Sequence, residues 1–278
     1  MRFIDALLTT PILQMALLAA IGSSFASGVI GSYVVVKRIV SISGSIAHSV
    51  LSGLGAALWL ERVHGISWFS PFYGALMTAI ISALIIGYVH LYYREREDAI
   101  IAMIWSTGMS LGVVFVSQVP GFNVELMNFL LGNVLWVTSW DLWMLGSLDL
   151  IILITVLIFH KKFLTLCFDE KQAELQGVPV VSLYLLLLVL IALTIVLLIH
   201  VVGIILVLSM LALPASIAGN FTYRFSRMMM IAVLLNIAFC LGGLAISYRL
   251  DWPVGATIAL FSAIIYTLSL RFKKRLVK

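Results

Sequence analysis

Nine apolar runs, each long enough to cross a hydrocarbon core of about 30 Å, occupy most of this chain. They fall near residues 11–36, 43–60, 68–93, 99–118, 142–160, 180–198, 203–219, 228–247 and 254–270. Backbone N–H and C=O groups in lipid have to be satisfied within the chain, and runs of this length do so as α-helices. Charged residues are only 10% of the 278 and apolar ones 63%, too little polar surface to solvate a globular domain of that size. The expected fold class is therefore an all-α integral membrane protein with about nine transmembrane helices. The apolar stretch that starts near Pro11 runs to Val36, longer than a signal-peptide core, so it reads as the first span and not as a cleaved leader.

Residues 120–138 are apolar but interrupted by Gly132 and Asn133 and are short for a crossing. A re-entrant or interfacial helix is expected there, since broken backbone at membrane depth is tolerated where protein covers it or a cavity adjoins it. The basic residues then set the orientation. Lys37 and Arg38, Arg94 and Arg96, Lys161, Lys162 and Lys171, Arg224 and Arg227, and the run from Arg271 to Arg275 fall on one side if nine spans alternate. By the positive-inside tendency that side is cytoplasmic, with the N-terminus outside and the C-terminus inside. Arg62 and Arg249 are exceptions, each near an acid, Glu61 and Asp251.

Two cytoplasmic connections exceed a turn. Phe168–Gly177 opens on Asp169 as a helix N-cap and closes on Gly177 before Pro179, which predicts a short surface helix. Ala215–Arg227 follows Pro214 and is too polar to face lipid. Each is either a docking surface for a soluble partner or an ordinary amphipathic connector.

His48 is the leading functional candidate, because an ionisable side chain within a span is costly and imidazole ligates borderline divalent metals. Position alone leaves two readings open: a ligand facing a water-filled path, or a neutral ring hydrogen-bonded across a helix pair. Gly44, Ala47, Gly53, Gly55 and Ala56 make its helix slim, which suits either a pathway or close packing. His64 and His200 are expected near the outer surface and His90 and His160 near the inner one, where water satisfies them. Trp136, Trp140 and Trp143 read as an interfacial aromatic belt. Cys167 and Cys240 have no nearby Cys or His, so neither a disulfide framework nor a structural zinc site is indicated. No phosphate-binding loop is present, and the chain is not expected to hydrolyse ATP or to be an enzyme.

Several stretches resemble one known family, the permease subunit of ATP-binding-cassette (ABC) importers for zinc, manganese and iron. They are Gly28–Arg38 with Ser43–His48, Glu97–Ile101 with Gly108–Gly112, Leu131–Leu142, Val202–Ala218 with its Pro214-Ala215 pair, and Leu250–Thr257. The resemblance implies a type II ABC importer-like permease forming a single transmembrane domain over residues 1–278, in a bacterial plasma (inner) membrane. It implies a second permease subunit, identical or a paralogue, two cytoplasmic ATPase subunits and an extracytoplasmic metal-binding protein. No permanently bound cofactor is implied; a divalent metal ion is the transported substrate. His48 would be a transient pathway ligand, with Glu125 a further metal candidate, and Ala215–Arg227, following Pro214, would be a cytoplasmic coupling helix through which Ala215, Ser216, Arg224 and Arg227 couple to the ATPase. Outer loops around Glu61, Glu125 and Asp251 would meet the binding protein.

One departure bears on the ion. The family commonly places an Asp four residues before the His, on the same helix face; here that residue is Gly44. An imidazole without the hard oxygen leans toward zinc over manganese. The competing class, a stand-alone ion-coupled transporter or channel, usually carries paired intramembrane acids or inverted repeats, and an intramembrane hydrolase needs a nucleophile with a base in reach. Neither pattern stands in the sequence.

Overall fold

The computed structural model describes residues 9–66, 68–93, 97–120, 129, 132 and 137–273. Its helices are α1 (Pro11–Lys37), α2 (Val40–His64), α3 (Pro71–Tyr93), α4 (Glu97–Ser117), α5 (Ser139–Phe168), α6 (Glu170–Leu175), α7 (Val180–Val202), α8 (Ile204–Phe221), α9 (Phe225–Leu250) and α10 (Val254–Lys273). Among the described residues nine helices are long and apolar enough to cross a membrane, α6 being the exception, and there is no strand. Prolines stand at the starts: Pro11 and Pro71 open α1 and α3, and Pro179 and Pro253 precede α7 and α10, where a missing N–H costs nothing. Gly65 ends α2 in the left-handed region at φ 69°, and Ile66 N–H reaches back 3.1 Å to Leu60 O.

Most spans lie within a few residues of the sequence expectation, but the fifth does not stop near residue 160. It continues through Lys161 and Lys162 to Phe168, because Phe163, Leu166 and Cys167 prolong the buried stripe at helical spacing. The short surface helix is present as α6. Asp169 caps it, its carboxylate accepting from Gln172 N–H at 3.0 Å, and Gly177 at φ 72° closes the turn. The re-entrant helix expected over residues 120–138 falls almost wholly outside the described residues.

The chain divides into two compact units: Met1–Val35, Met127–Leu153 and Leu197–Lys278 form unit 1, and Val36–Leu126 with Ile154–Val196 form unit 2. In unit 1, the buried α1 serines turn their hydroxyls onto their own helix: Ser23 donates to Ala20 O at 3.0 Å, Ser27 to Ser23 O at 2.6 Å and Ser32 to Gly28 O at 2.8 Å. Pro214 lies inside α8 and does not end it. A proline there removes the N–H that Met210 O would accept, and Asn236 of α9 supplies the replacement, donating from Nδ2 to Met210 O at 3.0 Å and to Ser27 Oγ at 3.1 Å. An Asn236→Leu variant leaves that buried carbonyl orphaned and is expected to lose about 1–3 kcal/mol, read as a lowered melting temperature of the purified protein.

In unit 2, Lys37, the last residue of α1, ion-pairs with Glu170 of α6, donates to Leu166 O at 3.1 Å and lies 5.8 Å above the ring of Tyr184. His90 stacks on the same Tyr184 at 4.7 Å, with Nε2 3.7 Å from Glu170 Oε1. His90 is thus seated against a carboxylate, where the sequence reading left it to water. The imidazole of His90, and then the ammonium of Lys37, hold the Glu170 carboxyl at about 2 against the upward push of burial. A depressed carboxylate contributes stability that is complete above its ordinary value of 4.5 and is lost as pH falls toward about 2. Glu170 is one-third exposed, so solvent screening keeps the effect modest. The melting temperature should fall further between pH 5 and pH 3 in the wild type than in Glu170→Gln; equal falls would remove Glu170 as the source.

Candidate functional site

The site around His48 is built by close backbone packing within unit 2. Gly53 of α2 and Gly74 of α3 meet face to face, and a Cβ on either would run into the other's carbonyl oxygen. On the opposite flank the α4 pair Gly108 and Gly112 has the spacing that lets two membrane helices touch along their backbones. A Cβ on Gly108 would come within 2.5 Å of Ser49 Cα, and one on Gly112 within 2.7 Å of the Leu51 carbonyl carbon. Anchoring α4 at Ser49 and Leu51 brings Trp105, one turn before Gly108, beside His48. The two rings stack with centroids 4.4 Å apart and planes 12° from parallel.

That stack orients the imidazole while leaving its ring edge, where both nitrogens lie, uncovered by the indole. His48 is half-buried and Trp105 is 37% exposed. Each nearby serine hydroxyl commits its proton to a carbonyl: Ser43 to Ile39 O at 3.3 Å, Ser45 to Ile101 O on α4 at 2.9 Å and Ser49 to Ile46 O at 2.8 Å. Gly44, one turn earlier on the same face, brings no oxygen beyond its backbone. No group of three His, Cys, Asp or Glu side chains able to hold a metal occurs among the described residues. One imidazole per chain suits passage of an ion better than storage, since a closed cage of ligands would retain it.

The other candidates are placed as follows. Glu125 lies outside the described residues. Ala215–Arg227 is not one helix: Ala215 and Ser216 belong to α8, a link at 222–224 follows, and Arg227 stands in the first turn of α9. Pro214 does not mark a boundary because Asn236 compensates for it. Ala215 is buried and Ser216 half-buried, whereas Arg224 and Arg227 are exposed and Tyr223 is 99% exposed. Glu61 is exposed near the end of α2, and Asp251 ends α9 at φ 54°. His64 packs edge-on against Trp59. Trp140 and Trp143 are more than three-quarters exposed, in keeping with an interfacial belt.

Three features escaped the sequence reading. Trp105 was hidden in an apolar run, and only the glycine spacing on α4 hints at which residue faces α2. His200, assigned to water, instead has Nε2 3.1 Å from Asp141 Oδ1. Asp149, in the middle of α5, is 6% exposed with its Oδ1 unpartnered, and it faces Gly22 of α1.

Nine helices long and apolar enough to cross a membrane, among the described residues, define a multi-pass membrane protein. The model of the ABC 3 transport family matches residues 9–273, so this chain belongs to that family. A Chlamydia pneumoniae protein named "Probable metal transport system membrane protein" is 54% identical over 95% of this chain and 90% of its own length. The manganese transport system membrane protein MntC of Halalkalibacterium halodurans is 33% identical over 98% of this chain and 91% of its own. Among solved structures, PsaBC from Streptococcus pneumoniae in complex with Fab superposes with a TM-score of 0.84 at 29% identity, covering 96% of this chain and 94% of that one. The resemblance drawn from the sequence and the all-helical permease fold are borne out. ATP hydrolysis falls to a separate subunit.

Proposed function

We propose that this chain is the permease subunit of an importer for divalent transition-metal ions, receiving the ion from an extracytoplasmic binding protein and passing it to the cytoplasm. The observation that carries the reading is the His48 ring, half-buried on α2 and oriented by Trp105. The metal is supported by that imidazole and by the names of the relatives. Residues 1–278 act as one permease domain, and two such domains face each other so that a His48 from each contacts the ion on a central pathway. Zinc is favoured, because Gly44 leaves the imidazole without a hard oxygen one turn away; manganese and iron are the competing cargoes. The N-terminus lies outside and the C-terminus in the cytoplasm, following the basic residues. Ala215, Ser216, Arg224 and Arg227 form the region that meets the ATPase, and Glu125 is a further candidate metal ligand.

Purified alone in proteoliposomes, the chain should neither hydrolyse ATP nor accumulate zinc; both should appear when the ATPase and binding protein are added. Nucleotide-independent accumulation by the chain alone would favour the ion-coupled alternative. Asp149 is the one buried carboxylate near the middle of a span among the described residues, and that alternative usually needs a pair.

A further inference from the structure

In unit 1, α5 begins close to where α7 ends. Asp141 stands in the first turn of α5, and its Oδ2 accepts from Thr138 N–H at 2.8 Å and from Thr138 Oγ at 2.7 Å, while Asp141 N–H reaches Thr138 Oγ1 at 3.3 Å. This is a reciprocal cap, and it uses one carboxylate oxygen only. The second oxygen, Oδ1, is turned to His200 Nε2, in the last turn of α7, 3.1 Å away. The cap is complete without His200.

We propose that Asp141 and His200 form a second divalent-cation site, completed by water, at this end of unit 1. Four observations support it. Two ligands bound at about 2.1 Å to one tetrahedral or octahedral ion lie about 3.0–3.4 Å apart, and the Nε2–Oδ1 separation already has that value. A cation would replace the proton now shared by the pair, with little movement. The Thr138 bonds on Oδ2 fix the carboxylate, as groups behind a metal ligand do. The side chains are 38% and 22% exposed, which leaves room for the waters a two-ligand site needs. Finally, the backbone here is brought in close: Gly132 and Gly203 adopt φ 80° and 78°, and a Cβ on Gly132 would run into the Val202 carbonyl. His200 also stands in the last turn of α7, and the negative end of a helix favours a cation.

With one carboxylate and one imidazole, the site is hard enough for manganese and soft enough for zinc, and with two protein ligands it holds either weakly. In the topology proposed above, on which this inference rests, α5 starts and α7 ends on the outer side. The pair is then a receiving site for the ion on arrival, distinct from His48.

The test uses the permease–ATPase complex in nanodiscs with Mn2+ as the probe, read by electron paramagnetic resonance on a His48→Ala background so that His48 contributes nothing. Bound Mn2+ is expected there, weakened about tenfold or more by His200→Gln or by Asp141→Asn, given that even residues behind a ligand are worth about 10–100-fold. His200→Arg separates a cation site from a tie between helix ends, since guanidinium keeps the ion pair with Asp141 and cannot ligate a metal. It should bind Mn2+ as poorly as His200→Gln. In transport, with His48 intact, His200→Gln should raise the KM for metal several-fold and leave kcat near wild type. No Mn2+ bound on the His48→Ala background, or wild-type binding and KM in His200→Arg, would overturn the proposal. If His48→Ala alone transports normally while His200 variants still lose Mn2+, the pathway reading fails and this site stands.

Discussion

A permease carrying Ala at position 48 is expected to assemble normally and to transport metal at below about one hundredth of the wild-type rate. Residues that merely support a metal ligand are worth about 10–100-fold, and the ligand itself should be worth at least that. Assembly is spared because α2 already holds Gly44, Ala47, Gly53 and Ala56, and His48 makes its ring contact with a Trp105 that is itself partly exposed. Uptake in proteoliposomes containing the full transporter, together with the melting temperature of the same preparation, separates lost function from lost fold. Gly44→Asp is the companion variant. It places a carboxylate one helical turn from the imidazole and should move the preference in competition assays from zinc toward manganese. Normal transport by His48→Ala would return His48 to a simple cross-helix contact.

The second large effect is structural. A Gly53→Leu chain is expected not to accumulate as a folded protein, because its side chain would be driven into the backbone of Gly74, and a backbone carbonyl cannot rotate aside as a flexible side chain can. Ordinary overpacking costs about 1–3 kcal/mol, and parting α2 from α3 also disturbs the far flank, where Gly108 and Gly112 of α4 rest on α2. Gly146→Ala is the matched control. A Cβ there meets nothing within 4 Å, so the variant should be as stable as the wild type or gain about 0.8–1.0 kcal/mol from helix propensity. The yield of monodisperse protein after size-exclusion chromatography reads both. A normal yield of Gly53→Leu would mean that the α2–α3 contact is looser than described.

What was legible in the chain was whatever depends on local pattern. Apolar runs of spanning length marked the membrane helices, Asp169 and Gly177 marked the ends of α6, and His48 stood out because its neighbours are apolar or small. Each signal works over a few residues and follows from backbone solvation or from a single cap. The resemblance to a family was legible for another reason, the order of several short stretches along the chain. The misreadings share a cause. Pro214 reads as a helix end unless Asn236, 22 positions later, is known to take over the Met210 carbonyl. His90 and His200 read as solvated unless Glu170 and Asp141 are known to lie beside them.

The sequence alone thus determined that this chain crosses a membrane many times, that its backbone is helical, and that one imidazole, His48, sits mid-span in a slim helix rich in small residues. Lipid enforces those properties segment by segment, and no knowledge of distant contacts is needed. Tertiary structure alone decided which polar groups meet: Trp105 with His48, Asn236 with Met210 and Ser27, Glu170 with Lys37 and His90, and Asp141 with His200. Those pairings depend on how closely glycine faces let helices approach and on how far each helix is turned about its axis. Both are set by side-chain packing between segments far apart in the chain, which hydropathy does not encode.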